Sequence, residues 1–370
     1  MIKLFMLAKR RLVSSLGYKL KRSLRKPVKP LFINFIATYM CNSRCIMCDI
    51  WRKYDKGSDR FKETIADELT LSDIAGFLKR NKDFLSDLKS IGFTGGEAFL
   101  RKDIVEIIRA ARLELPWVDA GVQTNGLLPD LIREKMRDIL RFYPNFKIAV
   151  SLDGIGDTHN EVRGVKGAYD KALTTIRYAK ELGISGITCG MTLTPVNFNK
   201  IREVAKQVEA LGCEFSCFMA ENCEYFGNPD EKKQWTDEQL RVIAGQLKDF
   251  KYHYFMDNLR RQITGESKRR LPCYSGYTSY VIDPYGDVHP CILRNEVFGN
   301  IKDRAFRDMV INRQAWDLRK KLNSCKCWCE CEVSSSAIVA PWDVARWILR
   351  SRDKMPILKS LNKKTLLNRL

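Results

Sequence analysis

The chain has 370 residues, 45% hydrophobic and 29% charged, with thirteen cysteines and a formal net charge of +20, a balance that excludes a disordered chain. No run of about 18 apolar residues occurs, which excludes a membrane-spanning helix at the sequence level. The charge lies mostly at the ends: residues 1–30 hold ten Lys or Arg and no Asp or Glu, and residues 341–370 hold eight against two.

The first element is a basic amphipathic segment over 1–30, where Ile2, Phe5, Leu12, Leu16, Leu20 and Leu24 recur at helical spacing among lysines and arginines. Alternating strand and helix patterns then run from a strand over 31–38 to a strand near 214–219, with strands at 88–93, 120–123, 146–152 and 186–194. Helices over 71–81, 104–113, 129–141, 168–182 and 198–211 lie between them. Six repeats predict an α/β fold, a partial (β/α)6 TIM-like barrel over 31–225, with functional residues at the C-terminal ends of its strands. A helical linker over 226–270 leads to a cysteine-rich region at 271–335 and a basic C-terminal helix and tail at 336–370. In that last segment Pro341 opens a pattern carrying Trp342, Trp347, Ile348 and Leu349 beside Arg346 and Arg350. Basic charge with tryptophan suits an anionic membrane surface. Packing of both end helices onto the core is the competing reading. Nucleic acid is disfavoured, because charge alone names no partner.

Directly after the first strand come Cys41, Cys45 and Cys48, spaced C-x3-C-x2-C. Three soft ligands in eight residues ask for a metal, and three thiolates suit an iron-sulfur cluster with one open iron; a zinc knuckle completed by a distant ligand is the alternative. After the second strand comes Thr94-Gly95-Gly96-Glu97, whose glycines would let a ligand approach the backbone. Thr124 and Asn125 follow the third strand, and Ser151 and Asp153 end the fourth, each offering polar groups to a ribose or carboxylate. Arg163 follows, and an arginine is suited to bidentate pairing with a carboxylate.

In that order and placement, these residues resemble the radical S-adenosylmethionine (radical SAM) superfamily. The resemblance implies a [4Fe-4S] cluster on Cys41, Cys45 and Cys48, and S-adenosylmethionine held by Met47, Gly95, Gly96, Glu97, Thr124, Asn125, Ser151, Asp153 and Arg163. It further implies reductive cleavage to a 5′-deoxyadenosyl radical that takes hydrogen from a peptide, carbohydrate or other metabolite, and a reductant such as flavodoxin or ferredoxin. Met47 departs from the aromatic residue more usual before the third cysteine, and its thioether can fill the same contact. Radical abstraction needs no general base, so no acid/base pair is assigned.

The late cysteines resemble the SPASM/Twitch extensions, which carry auxiliary clusters. Cys273 and Cys291 flank a turn, Asp283-Pro284-Tyr285-Gly286-Asp287, that brings them together. Six thiols suffice for one auxiliary [4Fe-4S] cluster on Cys273 and Cys291 with two of Cys325, Cys327 and Cys331, and zinc on the same thiols is the alternative. Cys189 reads as plain core, and Cys213, Cys217 and Cys223 read as small core residues, with a ligand or substrate-facing role as the alternative. Clustered thiols without a secretory signal predict a cytoplasmic protein, with the inner membrane face as a candidate site. Two other functions stay open: a radical SAM enzyme acting on a lipid at the membrane, and a non-enzymatic electron carrier or zinc-stabilised binding protein.

Overall fold

The computed structural model describes residues 16–21, 23–24, 28–54, 65–228, 235–322, 325 and 327–350, without the side chain of Cys331. Strands and helices alternate through β1 (Phe32–Thr38), α1 (Leu71–Arg80), β2 (Ser90–Gly95), α2 (Ile104–Glu114), β3 (Asp119–Thr124) and α3 (Pro129–Leu140). They continue as β4 (Lys147–Ser151), α4 (Asp157–Arg163), α5 (Ala168–Glu181), β5 (Gly186–Leu193), α6 (Ile201–Ala210) and β6 (Glu214–Met219). β1 to β6 pair in parallel with their sequence neighbours, so each crossover helix packs against the sheet and every strand points its C-terminal end at one mouth. Local chemistry sets the boundaries. Thr70 and Asp73 form a reciprocal capping box at the start of α1, and Pro129 occupies the first turn of α3, where its missing N–H costs nothing.

The C-terminal third contains α7 (Asp237–Leu247), α8 (Tyr254–Ile263), β7 (Ser279–Ile282), β8 (Val288–His289), α9 (Phe306–Ile311), α10 (Arg313–Leu322), α11 (Glu330–Val339) and α12 (Pro341–Arg350). The helical linker expected over 226–270 is split at residues 248–253 into α7 and α8, each with its own N-terminal side-chain cap, Thr236 and His253. The expected turn is present: Asp283 Oδ1 accepts from the N–H groups of Tyr285 (3.0 Å) and Asp287 (2.8 Å), and β7 and β8 pair antiparallel around it. The sequence did not reveal that β7 also pairs in parallel with β1, from Phe32 opposite Ser279 to Phe35 opposite Ile282. The cysteine-rich region therefore continues the barrel sheet beyond β1.

Both termini bear on the membrane reading. α12 packs inward: Trp347 is buried, its Nε1–H donates to Asp257 Oδ2 at 2.8 Å, and its ring meets Tyr254 edge-on at 5.5 Å. Packing is thus the reading that holds for α12. Near the other end, Leu16, Leu20 and Leu24 are 54%, 59% and 55% exposed, at four-residue spacing on helical chain. The rest of the predicted basic ends, 1–15 and 351–370, lies outside the described residues. Among the described residues no helix is long and apolar enough to cross a membrane.

Candidate metal centre and cofactor site

Cys41, Cys45 and Cys48 leave the C-terminal end of β1 at the barrel mouth. The loop is held from two sides. From β2, the Gly96 N–H donates to Thr38 O (2.9 Å) and the Glu97 N–H to Met40 O (2.7 Å). From the end of α4, Arg163 O accepts from Arg44 N (2.9 Å) and Ser43 Oγ (3.0 Å), while Val162 O accepts from Ile46 N (3.0 Å). A third strap follows β6: Asn228 Nδ2 donates to Met47 O (3.0 Å) and Asp49 N to Phe226 O (2.7 Å).

The glycines also serve these contacts. A Cβ on Gly95 would sit 2.2 Å from Thr38 O, and one on Gly96 2.2 Å from Met40 O. Space at the glycines is therefore taken up by the cysteine loop, and the loop is what requires them. Glu97 follows the glycines. Its carboxylate is fully buried and accepts from Thr124 Oγ1 (2.9 Å), Asn125 N (2.7 Å) and Phe99 N (3.1 Å). Burial pushes its pKa up, and the donated hydrogen bonds pull against that shift. Glu97 thus ties the end of β2 to the end of β3 and sets the position of Asn125, whose Nδ2 reaches Asn42 Oδ1 (2.8 Å) and Cys41 Sγ (3.9 Å).

Arg163 is buried and pairs through Nε with Asp153 Oδ2 at 2.5 Å, and its Nη1 donates to Cys45 Sγ at 3.6 Å. Burial alone would weaken its hold on the proton, but Asp153 and the Cys45 thiol outweigh that and keep it charged. Asp153 is fixed in turn by Thr192 N at 2.7 Å, and its own N–H donates to His159 Nδ1 at 2.9 Å. Ser151 lies buried at the end of β4, and Met47 packs with Val162 and Ala220 beside Cys45.

The donor set fits an iron-sulfur cluster. Besides Asn125 and Arg163, Ser43 N donates to Cys41 Sγ (3.4 Å) and Ser43 Oγ stands 3.1 Å from Cys45 Sγ, so several donors face sulfur, as thiolate ligands require. Burial, with the neighbouring thiols, pushes Cys41 up to about 11 and Cys48 higher, so both thiols hold their protons until a cation displaces them. Among the described residues no three His, Cys, Asp or Glu side chains lie close enough together to hold a single metal ion.

At the second set, burial raises the Cys291 thiol, and Cys273, Cys327 and Cys325 add to that shift. Burial raises Cys273 to about 12 and raises Cys327 as well. Arg269 donates to the Cys327 carbonyl and reaches its Sγ at 3.9 Å, while its Nη2 pairs with Glu332 at 2.7 Å. The side chain of Cys331 lies outside the described residues. Cys189 and Cys217 are fully buried core, as expected, and Cys213 packs beside Cys189. Cys223 is buried too, but its Sγ donates to Ile292 O at 3.4 Å, next to Cys291. Between the two thiol sets, Tyr39 is ringed by Tyr54, Tyr225 and Tyr285 at centroid distances of 6.4, 6.3 and 5.9 Å. Sequence reading missed the grouping of these tyrosines with Ser43 and Asn228, since they come from three separate connections at no fixed spacing.

Comparison with known proteins agrees with this geometry. The pattern described as the Radical SAM superfamily matches residues 35–208, and that of the SPASM iron-sulfur cluster-binding domain matches 273–332. The antilisterial bacteriocin subtilosin biosynthesis protein AlbA of Bacillus subtilis is 28% identical over 291 residues, 74% of this chain and 57% of that one. The sporulation killing factor maturation protein SkfB of the same organism is 25% identical over 309 residues, 82% of this chain and 70% of that one. In fold, the crystal structure of Streptococcus suis SuiB bound to S-adenosylmethionine superposes with a TM-score of 0.60 at 18% identity, covering 79% of this chain and 68% of that one. The chain thus spans somewhat over half the length of AlbA.

Proposed function

Because this chain belongs to the radical SAM superfamily and carries a SPASM domain, we propose that it is a radical SAM enzyme that modifies a peptide. A [4Fe-4S] cluster and S-adenosylmethionine, the cofactors these domains imply, supply reductive cleavage to a 5′-deoxyadenosyl radical that removes hydrogen from substrate carbon. The chain's own residues bind, orient and exclude water. Cys41, Cys45 and Cys48 would hold the cluster, and Asn125, Ser43 and Arg163 stand against the Sγ atoms of Cys41 and Cys45. Thr124, Asn125, Ser151, Asp153 and Arg163 line the strand ends where S-adenosylmethionine binds, with Gly95, Gly96 and Glu97 fixing the loops around it and Met47 against the adenine. Cys273, Cys291, Cys325 and Cys327, with Cys331 as a further candidate, hold one auxiliary cluster, and a flavodoxin- or ferredoxin-class protein supplies electrons. The peptide class rests on the relatives, one named for biosynthesis of a bacteriocin and the other for maturation of a killing factor.

The observation that carries this reading is the convergence of three thiols and their donors at the mouth of a parallel sheet. Anaerobic reconstitution with iron and sulfide, then incubation with S-adenosylmethionine and dithionite, should yield 5′-deoxyadenosine. A Cys41, Cys45 and Cys48 triple alanine variant should yield none. Iron uptake without deoxyadenosine from the wild type would reject the enzyme and favour an electron carrier.

A second reading places the reaction at an anionic membrane surface, on a lipid or lipid-linked substrate, and the exposed stripe of Leu16, Leu20 and Leu24 among basic residues favours it. The full chain should then float with anionic vesicles at low salt, and a chain lacking residues 1–26 should not. Equal behaviour of the two would remove the membrane from the account.

A further inference from the structure

The geometry points to Arg163 as a residue that sets the reduction potential of the cluster on Cys41, Cys45 and Cys48, acting through Cys45 before any S-adenosylmethionine is bound. This deepens the radical SAM reading and rests on it. An arginine that served only a cofactor carboxylate would need no contact with a cysteine ligand, and Arg163 has one. Its Nε lies 2.5 Å from Asp153 Oδ2 and its Nη1 donates to Cys45 Sγ at 3.6 Å, so two edges of the guanidinium are already engaged, one by a carboxylate and one by a cluster ligand.

The orientation is fixed from both ends. Asp153 is itself immobilised, since Oδ1 accepts from Thr192 N (2.7 Å), its carbonyl accepts from Asn197 Nδ2 (2.7 Å) and its N–H donates to His159 Nδ1 (2.9 Å). The backbone of Arg163 grips the cysteine loop through Ser43 Oγ and Arg44 N. From the end of α4, the side chain of Arg163 therefore meets Cys45 while its main chain holds Ser43 and Arg44 just before it. With side-chain exposures of 9% for Arg163 and 0% for Asp153, water screens this charge poorly. A cluster gains negative charge on reduction, so a fixed cation and an N–H···S hydrogen bond at a ligand sulfur favour the reduced form and raise its potential. Arg163 is in this role a positioning and tuning residue, and Asp153 is the group that aims it.

The test is an electron-paramagnetic-resonance redox titration of the reconstituted full chain without S-adenosylmethionine, following the cluster whose signal responds when S-adenosylmethionine is later added. Iron content and S-adenosylmethionine binding by equilibrium dialysis are measured alongside. Arg163→Gln should keep the wild-type iron content and titrate at a lower potential. Arg163→Lys keeps the charge but cannot hold both contacts, and should fall between the two; it also serves where Arg163→Gln loads poorly. A variant that binds S-adenosylmethionine more weakly while its cofactor-free potential equals the wild type's would overturn the inference and leave the radical SAM reading standing. A wild-type protein that takes up no iron would remove that reading and this inference with it.

Discussion

Gly164 ends α4 with φ +62, and a Cβ there would stand 2.2 Å from Arg44 O. Both the left-handed backbone and the contact with the cysteine loop require glycine. Gly164→Ala should lower iron uptake on reconstitution several-fold and cost the fold about 1–3 kcal/mol, read as a lower thermal midpoint. His159 provides a prediction in pH. Its ring is fully buried against the Asp153 N–H, and burial, helped by Arg163 and opposed by Asp153, holds its pKa down to about 4 from 6.5. Between those values the unfolded chain binds a proton that the folded chain refuses, so stability rises with pH across that window. It is complete above about pH 6.5 and is lost as pH falls toward 4. Urea unfolding at pH 5 should show about 2 kcal/mol less stability than at pH 7 from this residue, and His159→Gln should flatten that part of the difference. An unchanged slope in the variant would assign the pH dependence to other groups.

At the scale of elements, periodicity made the barrel legible because each strand and helix from β1 to β6 buries one repeating face, and the capping and proline signals lie in the same few residues. The elements that were not legible include α9 to α11 in the cysteine-rich region and, for different reasons, α4 and β7. α4 is only seven residues long and starts after Gly156 at φ +55 with no side-chain cap, so no helical pattern marks the stretch around Arg163. β7 reads as half of a hairpin, and its parallel pairing with β1 is a long-range contact that no local pattern encodes. The same limit applies to α12, whose tryptophans suggest a membrane by composition while Trp347 is spent on Tyr254 and Asp257. Trp347→Ala should lower stability by about 3–5 kcal/mol. Trp347→Phe should keep most of the packing and lose about 1 kcal/mol with the hydrogen bond. A near-neutral Trp347→Ala would mean that α12 contributes little to the fold.

For the whole molecule, the question is whether two thiol sets act as two independent centres. The place of the first set was readable, since Cys41, Cys45 and Cys48 lie within one loop after β1. The second was readable only as a pool, because its thiols are spread along the chain from before β7 to beyond α10. What joins the sets was not readable at all: β7 on β1, Cys223 on Ile292, and Tyr285 of the hairpin against Tyr39. The two sets use separate ligands but share a wall, so loading should be separable while stability is not. Reconstituted wild type should hold about eight irons, as two four-iron clusters require. A Cys273→Ala and Cys291→Ala variant should lose about four, retain deoxyadenosine formation, and melt at a lower temperature, because the auxiliary site anchors the strand that extends the barrel sheet. The Cys41, Cys45 and Cys48 triple variant should lose the other four and all deoxyadenosine. If removing the late thiols also abolished deoxyadenosine while iron at the first site stayed full, the shared wall would be carrying function between the centres, and the tyrosines around Tyr39 would be the place to look for its path.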